Sequence, residues 1–177
     1  MVLGTTGVSG RVALQAAKLL GAGTVVIAGR DGDALKKLQS LGADHIAVLG
    51  GDDDAATLRD AAGGGADVVF DPLFGAPLVA AVKALNPGGR SVTIGMSASA
   101  VAEIPFAAFL GQSLLSHTNM TTSADLKRAA FSRLVGHVAA GEIVTETEDI
   151  PLEGAEEAWS RQQEGPKQKL VIRPPGA

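Results

Sequence analysis

The chain reads as an α/β protein built on a doubly wound, parallel sheet of six strands, with a C-terminal helix–strand segment outside that alternation. Two observations predict this. Short apolar or β-branched runs alternate with helical stripes five times, over short connections. That pattern calls for right-handed crossovers and a sheet covered on both faces. The chain also opens on three glycines, Gly4, Gly7 and Gly10, set between an apolar run and a helical pattern. Such a loop lies at the carboxyl end of a first strand, where open sheets of this class bind their ligands.

Taken in order, Met1-Val2-Leu3 is the first strand, and the glycine turn leads into a helix reaching Leu20. Thr24-Val25-Val26-Ile27-Ala28 is a second strand, bounded by Gly23 and Gly29. Leu35, Leu38 and Leu41 form a helical stripe between Asp31, a fitting N-cap, and Gly42, a fitting stop. His45 to Leu49 is the third strand. Asp52, Asp53 and Asp54 then open a helix that runs to about Ala62. Three adjacent carboxylates can hold a metal, but at a helix N-terminus they also face the positive end of the dipole, and this structural reading is preferred. Ala66 to Asp71 is the fourth strand, Ala76 to Leu85 a helix, and Asn86-Pro87-Gly88-Gly89 a turn before the fifth strand, Ser91 to Gly95. An apolar segment around Pro105 to Leu110 precedes the sixth strand, Ser113 to His117.

The alternation then stops. A helix covers Ala124 to Ala140, with Ala130, Leu134 and Val138 on one face and Gly141 ending it. An extended stretch follows from Ile143 to Leu152, then a helix from Ala155 to Gln163 with Trp159 as its expected anchor. A last strand, Lys169 to Arg173, precedes Pro174-Pro175-Gly176-Ala177.

At 177 residues and 46% hydrophobic content, the chain suits one domain, or one with a small appendage, that buries a real core. A net charge of −4 with interspersed signs offers no basic face to nucleic acid. No apolar run is long enough to span a membrane, and the opening residues lack the regions of a signal peptide. The absence of cysteine excludes disulfides, thiolate zinc ligands and a cysteine nucleophile within this chain, and it fits a cytoplasmic setting. Tyrosine is absent too, which removes the Tyr-x-x-x-Lys pair of a short-chain reductase. His45, His117 and His137 are scattered without ligand spacing, and no Gly-x-Ser-x-Gly elbow occurs. No catalytic residue and no metal ligand is assigned.

In the glycine loop, the backbone N–H groups of Gly7, Val8 and Ser9 face a helix dipole and suit a pyrophosphate. Gly4, Thr6 and Gly10 complete that candidate cradle, although a plain glycine turn before a helix also explains the spacing. Ser9 could add its hydroxyl or simply be small. NAD-preferring enzymes place a carboxylate at the end of the second strand, to accept both ribose hydroxyls. Gly29 stands there instead, followed by Arg30, whose guanidinium suits a 2′-phosphate. NADP(H) is therefore preferred over NAD(H), with a solvated Arg30 and a ribose-binding Asp31 as the alternatives.

Four stretches together carry a resemblance: Gly4 to Gly10, Leu41-Gly42-Ala43-Asp44, Leu85-Asn86-Pro87-Gly88-Gly89-Arg90 leading into Val92-Thr93-Ile94-Gly95, and Pro151-Leu152-Glu153-Gly154-Ala155-Glu156-Glu157-Ala158 followed by Lys169 to Ile172. In this order they resemble the medium-chain dehydrogenase/reductase superfamily, particularly its zinc-independent quinone oxidoreductase branch. The resemblance implies a Rossmann dinucleotide-binding domain over residues 1–141 and, over 142–177, a segment that returns to a GroES-like catalytic domain. That catalytic domain is expected to lie outside this sequence, and the first strand to be a shortened one. The resemblance also implies cofactor contacts, mostly from backbone, at Asp71-Pro72-Leu73 and Gly95-Met96, with Asn119 a further candidate of that kind. It implies hydride transfer between the nicotinamide and a quinone, enone or similar carbonyl-type substrate in an intact parent, and a homodimer through the edge strand Ser113 to His117. A stand-alone nucleotide-binding or regulatory module without turnover is the alternative.

Overall fold

The structure, a computed structural model, describes residues 1–165 and 168–176; Ala177 of the expected tail lies outside them. Strand and helix alternate as α1 (Val8–Leu19), β1 (Val26–Gly29), α2 (Gly32–Gln39), β2 (His45–Val48), α3 (Asp54–Ala61), β3 (Ala66–Asp71), α4 (Gly75–Lys83), β4 (Leu85–Thr93) and β5 (Ser113–Ser116). The caps follow from side-chain chemistry. Asp31 Oδ1 accepts the Ala34 N–H at 2.9 Å to start α2, and Asp53 Oδ1 accepts the Ala56 N–H at 2.9 Å to start α3.

All strand pairs are parallel: β1 with β2, β3 with β4, and β4 with β5. The opening segment joins the two groups, because Val2 bridges both Ile27 and Phe70. Its N–H donates to the Val26 carbonyl at 2.8 Å, and the Leu3 N–H donates to the Phe70 carbonyl at 3.0 Å. The order across the sheet is therefore β2, β1, Val2, β3, β4, β5. The chain winds outward to one edge, returns to the centre and winds outward to the other, as expected for a doubly wound sheet. The first of the six expected strands is thus a single bridged residue between two hydrogen-bonded neighbours.

One expected turn sits elsewhere. Pairing of β4 begins at Leu85 opposite Ala66 and resumes with Arg90 opposite Val68, so residues 86–89 bulge within a strand. The Gly88 N–H leaves the ladder and donates to the Gly111 carbonyl at 3.0 Å. The reason is that α4 ends beside β3, which starts the ladder before the turn residues are reached.

Alternation along the central strands divides the core into two layers. Leu3, Val26, Ala28 and Val69 pack with Leu58 of α3 and Ala81 of α4, while Val2, Val25 and Ile27 pack with Leu14 of α1 and Leu35 and Leu38 of α2. Helices thus cover both faces.

Beyond β5 the chain forms α5 (Ala124–Ala139), β6 (Thr147–Pro151), α6 (Ala155–Gln163) and β7 (Lys169–Arg173). β6 and β7 pair in parallel as a separate two-stranded sheet. This unit is tied to α1. Ile143 is buried, and the Gln15 side chain both donates to the Val144 carbonyl at 3.0 Å and accepts the Val144 N–H at 2.8 Å. Arg11 adds an ion pair to Glu146 at 3.1 Å. One expectation fails here. Trp159 does not anchor α6: it is 69% exposed, and the inward position is taken by its buried neighbour Ala158. The apolar face of α5 buries no residue, with Phe131, Val135 and Val138 all exposed. No described helix is long and apolar enough to cross a membrane.

Candidate functional site

The glycine loop is shaped by close contacts that leave no room for a Cβ. A Cβ on Gly10 would lie 2.4 Å from the Gly4 carbonyl oxygen and 2.6 Å from Thr5 Cα, both of them backbone. At Gly4, with φ at +60°, a Cβ would meet the Pro72 ring at 2.9 Å and Leu73 Cδ2 at 3.0 Å. The Gly7 N–H donates to the Gly4 carbonyl at 3.1 Å, and the buried Thr5 hydroxyl donates to the Val2 carbonyl at 2.9 Å. The loop is thereby held tight against both α1 and the end of β3. Gly7 is the N-cap of α1, no side chain caps that helix, and its first turn contains no acid. The Val8, Ser9 and Gly10 N–H groups open the helix without intrahelical partners.

Beside the loop lies a cleft of about 480 Å³. Gly4 and Thr6 line it from the glycine loop, and Gly29 and Arg30 from the end of β1. Leu49, Gly50 and Asp54 contribute from the β2–α3 connection, and Leu73, Ala76 and Pro77 from the β3–α4 turn. Ser97 and Ala98 close it from the segment after β4. All these positions follow the carboxyl ends of strands, on either side of the point where the winding reverses. Asp54 holds the β2–α3 connection by accepting the Gly50 and Gly51 N–H groups at 2.8 and 3.2 Å.

The end of β1 has no side chain at Gly29, and Arg30 is exposed at the cleft. The neighbouring Asp31 spends one carboxylate oxygen on capping α2. Asp71 is fully buried, with its carboxylate turned inward. Oδ1 accepts the Leu73 and Phe74 N–H groups at 2.8 and 3.0 Å, and Oδ2 accepts the Thr93 hydroxyl at 2.8 Å.

Of the residues singled out from the sequence, Gly4, Thr6, Gly29, Arg30 and Leu73 line the cleft, and Gly7, Val8, Ser9 and Gly10 form the start of α1 beside it. Asp71 and Pro72 carry the β3–α4 turn behind Leu73, and Gly95 sits against the Pro72 carbonyl, which a Cβ there would approach to 2.8 Å. Met96 and Asn119 are exposed and are not among the lining residues. The Asn119 carbonyl instead accepts from Lys127 Nζ at 3.3 Å. Leu49, Gly50, Asp54, Ala76, Pro77, Ser97 and Ala98 also line the cleft and are not among the residues expected from the sequence. Position after a strand end was the one signal these residues carried, since most are small and apolar. Among the described residues no group of three or more His, Asp or Glu could hold a metal ion.

The profile of a family described as zinc-binding dehydrogenase matches residues 9–136. A curated relative, a component of the phenolphthiocerol/phthiocerol polyketide synthase of Mycobacterium tuberculosis, is 28% identical over 140 residues, which is 78% of this chain and 6% of that protein. Among solved structures, an NAD-dependent alcohol dehydrogenase is 28% identical with a TM-score of 0.82, over 97% of this chain and 50% of its own. An alcohol dehydrogenase-like protein from Sinorhizobium meliloti 1021 is 26% identical with a TM-score of 0.81, over 98% of this chain and 48% of its own. The chain spans about half the length of these solved structures and a small part of the curated relative. With the doubly wound order, the glycine loop at its switch point and a family profile over most of its length, this chain belongs to the zinc-binding dehydrogenase family of medium-chain dehydrogenases/reductases and corresponds to their nucleotide-binding part.

Proposed function

We propose that the chain is the NADP(H)-binding domain of a cytoplasmic oxidoreductase that moves hydride between nicotinamide and a quinone, enone or other carbonyl-type substrate. The observation that carries this reading is the glycine loop. Its backbone is packed too closely for any side chain at Gly10, and it delivers the uncapped first turn of α1 beside a cleft of about 480 Å³. Those features suit a pyrophosphate, whose charge replaces the missing cap.

In this reading Val8, Ser9 and Gly10 donate their N–H groups to the pyrophosphate, while the Gly7 N–H, expected as a donor, is taken by the Gly4 carbonyl at 3.1 Å. Arg30 faces the 2′-phosphate of the adenosine half, favoured there because Gly29 offers no carboxylate and Asp31 is engaged as a cap. Leu73, Ser97 and Ala98 form the wall along the other half. When bound, the cofactor supplies the hydride donor or acceptor, and the protein's part is to bind and orient it. The alcohol dehydrogenase compared above is named as NAD-dependent, so the preference for NADP(H) rests on positions 29 and 30 of this chain. Association of two copies through the free edge of β5 belongs to the same reading.

Titrating the protein with NADPH and NADH, followed by calorimetry, tests it. NADPH should bind at least about tenfold more tightly, the worth of one charge-assisted contact. Absence of binding by both would refute the assignment. Adding a model quinone and following NADPH absorbance then asks whether the chain turns over alone or acts as a binding module.

A further inference from the structure

One wall of the cleft is built on a turn whose backbone its own residue disfavours. Phe74, between β3 and α4, has φ 58° and ψ −166°. This region is essentially reserved for glycine, because a Cβ clashes there with the neighbouring backbone. Such a conformation persists only where its surroundings hold it. Here the holder is the buried Asp71 carboxylate, which takes the Leu73 and Phe74 N–H groups on one oxygen and the Thr93 hydroxyl on the other. The donors are two backbone amides and one hydroxyl, so the carboxylate's role here is to shape the backbone.

The turn in turn seats the segment after β4. The Pro72 carbonyl accepts the Ser97 N–H at 3.3 Å and its hydroxyl at 3.1 Å, and the Leu73 carbonyl accepts the Ala98 N–H at 2.9 Å. Leu73, Ser97 and Ala98 all line the cleft, following β3 and β4, whereas Arg30 follows β1 across the Val2 bridge. If Phe74 relaxed to negative φ, the Leu73 carbonyl would rotate and release Ala98.

We propose that the Phe74 turn, clamped by Asp71 and Thr93, positions the wall against which the nicotinamide half of the dinucleotide lies, so that these three are positioning residues rather than catalytic ones. This rests on the dinucleotide reading of the cleft. It predicts that loosening the clamp weakens binding of a whole dinucleotide and spares a ligand that occupies only the Arg30 side.

The experiment uses two probes, NADPH and 2′,5′-ADP, with wild type, Thr93→Val, Thr93→Ser and Phe74→Gly. Thr93→Val removes the hydroxyl at nearly constant shape, and Thr93→Ser restores it. Phe74→Gly removes the Cβ that the turn's backbone disfavours and leaves the clamp in place, so it should keep the turn. The expected result is a loss of NADPH affinity of about tenfold in Thr93→Val, with 2′,5′-ADP changed less than about twofold, and Thr93→Ser and Phe74→Gly close to wild type. Equal weakening of both probes, or no change in either, overturns the positioning role. Wild-type protein that binds neither probe overturns the cleft assignment itself, which separates the two failures.

Discussion

At the scale of single residues, the glycines of the site divide into those that tolerate a side chain and those that do not. A Cβ on Gly10 would strike the Gly4 carbonyl and Thr5 Cα, neither of which can swing aside. Gly10→Ala should therefore lower stability by about 1–3 kcal/mol, the usual result of overpacking, and abolish NADPH binding along with it. A Cβ on Gly29 would meet only Leu35 side-chain atoms at 3.5 Å, an ordinary contact. Gly29→Ala should leave stability within about 0.5 kcal/mol of wild type, as for benign substitutions. Urea denaturation of the two variants side by side checks the contrast. Arg30 is exposed and makes no ion pair with any described residue, so its removal leaves no buried partner behind. Arg30→Ala should weaken NADPH by about tenfold to a hundredfold while NADH changes little, since the lost contact is a charged hydrogen bond to the one group the two cofactors do not share. Equal losses for both nucleotides in a calorimetric titration would take Arg30 away from the 2′-phosphate.

At the scale of elements, the β6–α6–β7 unit is joined by a two-pronged ion pair. Arg161 of α6 donates to Glu148 of β6 at 2.8 and 2.6 Å. The side-chain hydrogen bonds from Arg161, with its charge adding to them, hold the Glu148 carboxyl below its ordinary value of 4.5. A carboxyl lowered on folding lends stability that is fully present above its unfolded pKa and fades as pH falls through its folded one. Trp159, the one tryptophan of the chain, sits on α6 and reports this unit. Its fluorescence should stay level above pH 4.5 and change below it, whereas Arg161→Ala should move that change to higher pH; coincident curves would show that the pair does not hold the unit. Most of these elements were legible in the sequence, because local signals set them: the Leu35, Leu38 stripe, the aspartate caps and the β-branched Val25 to Ile27. The pairing of β6 with β7 was not, since it joins segments about twenty residues apart whose patterns name no partner. Trp159 departs from its expected place for a related reason: a large apolar residue on a short helix has the pattern of an anchor, yet the buried positions of this unit are Ala158 and Ile150. The cleft was half legible. Its glycine loop and Arg30 carry distinctive chemistry, but Ala76, Pro77, Ser97 and Ala98 gain their place only through the Asp71 turn.

At the scale of the whole molecule, apolar surface gathers beyond the cleft. Leu114 and Leu115 on β5 are exposed, as are Phe131 and Val138 on α5. Among the described residues β5 pairs on one side only, with β4, which leaves an open edge beside this apolar surface. Open edges of that kind pair with another strand unless they are blunted by charge or proline, and Ser113-Leu114-Leu115-Ser116 contains neither. A second copy presenting the same edge would satisfy it through a two-fold axis. The backbone alternation identifies the residue to change. The His117 N–H donates to the Thr93 carbonyl, so residues 113 and 115 also turn toward β4, and Leu114 points its N–H outward. Ser116 faces outward by the same alternation, and proline at Leu114 would remove one of these two outward donors while leaving the β4 ladder whole. Sedimentation of the wild type should reveal a dimer, and Leu114→Pro should be a monomer that still binds NADPH, because the cleft lies at the strand ends and not at the edge. A wild type that stays monomeric at all concentrations removes the edge from consideration. A dimer that survives Leu114→Pro shifts the interface to the uncovered face of α5, where Phe131→Glu would then be the substitution that splits it.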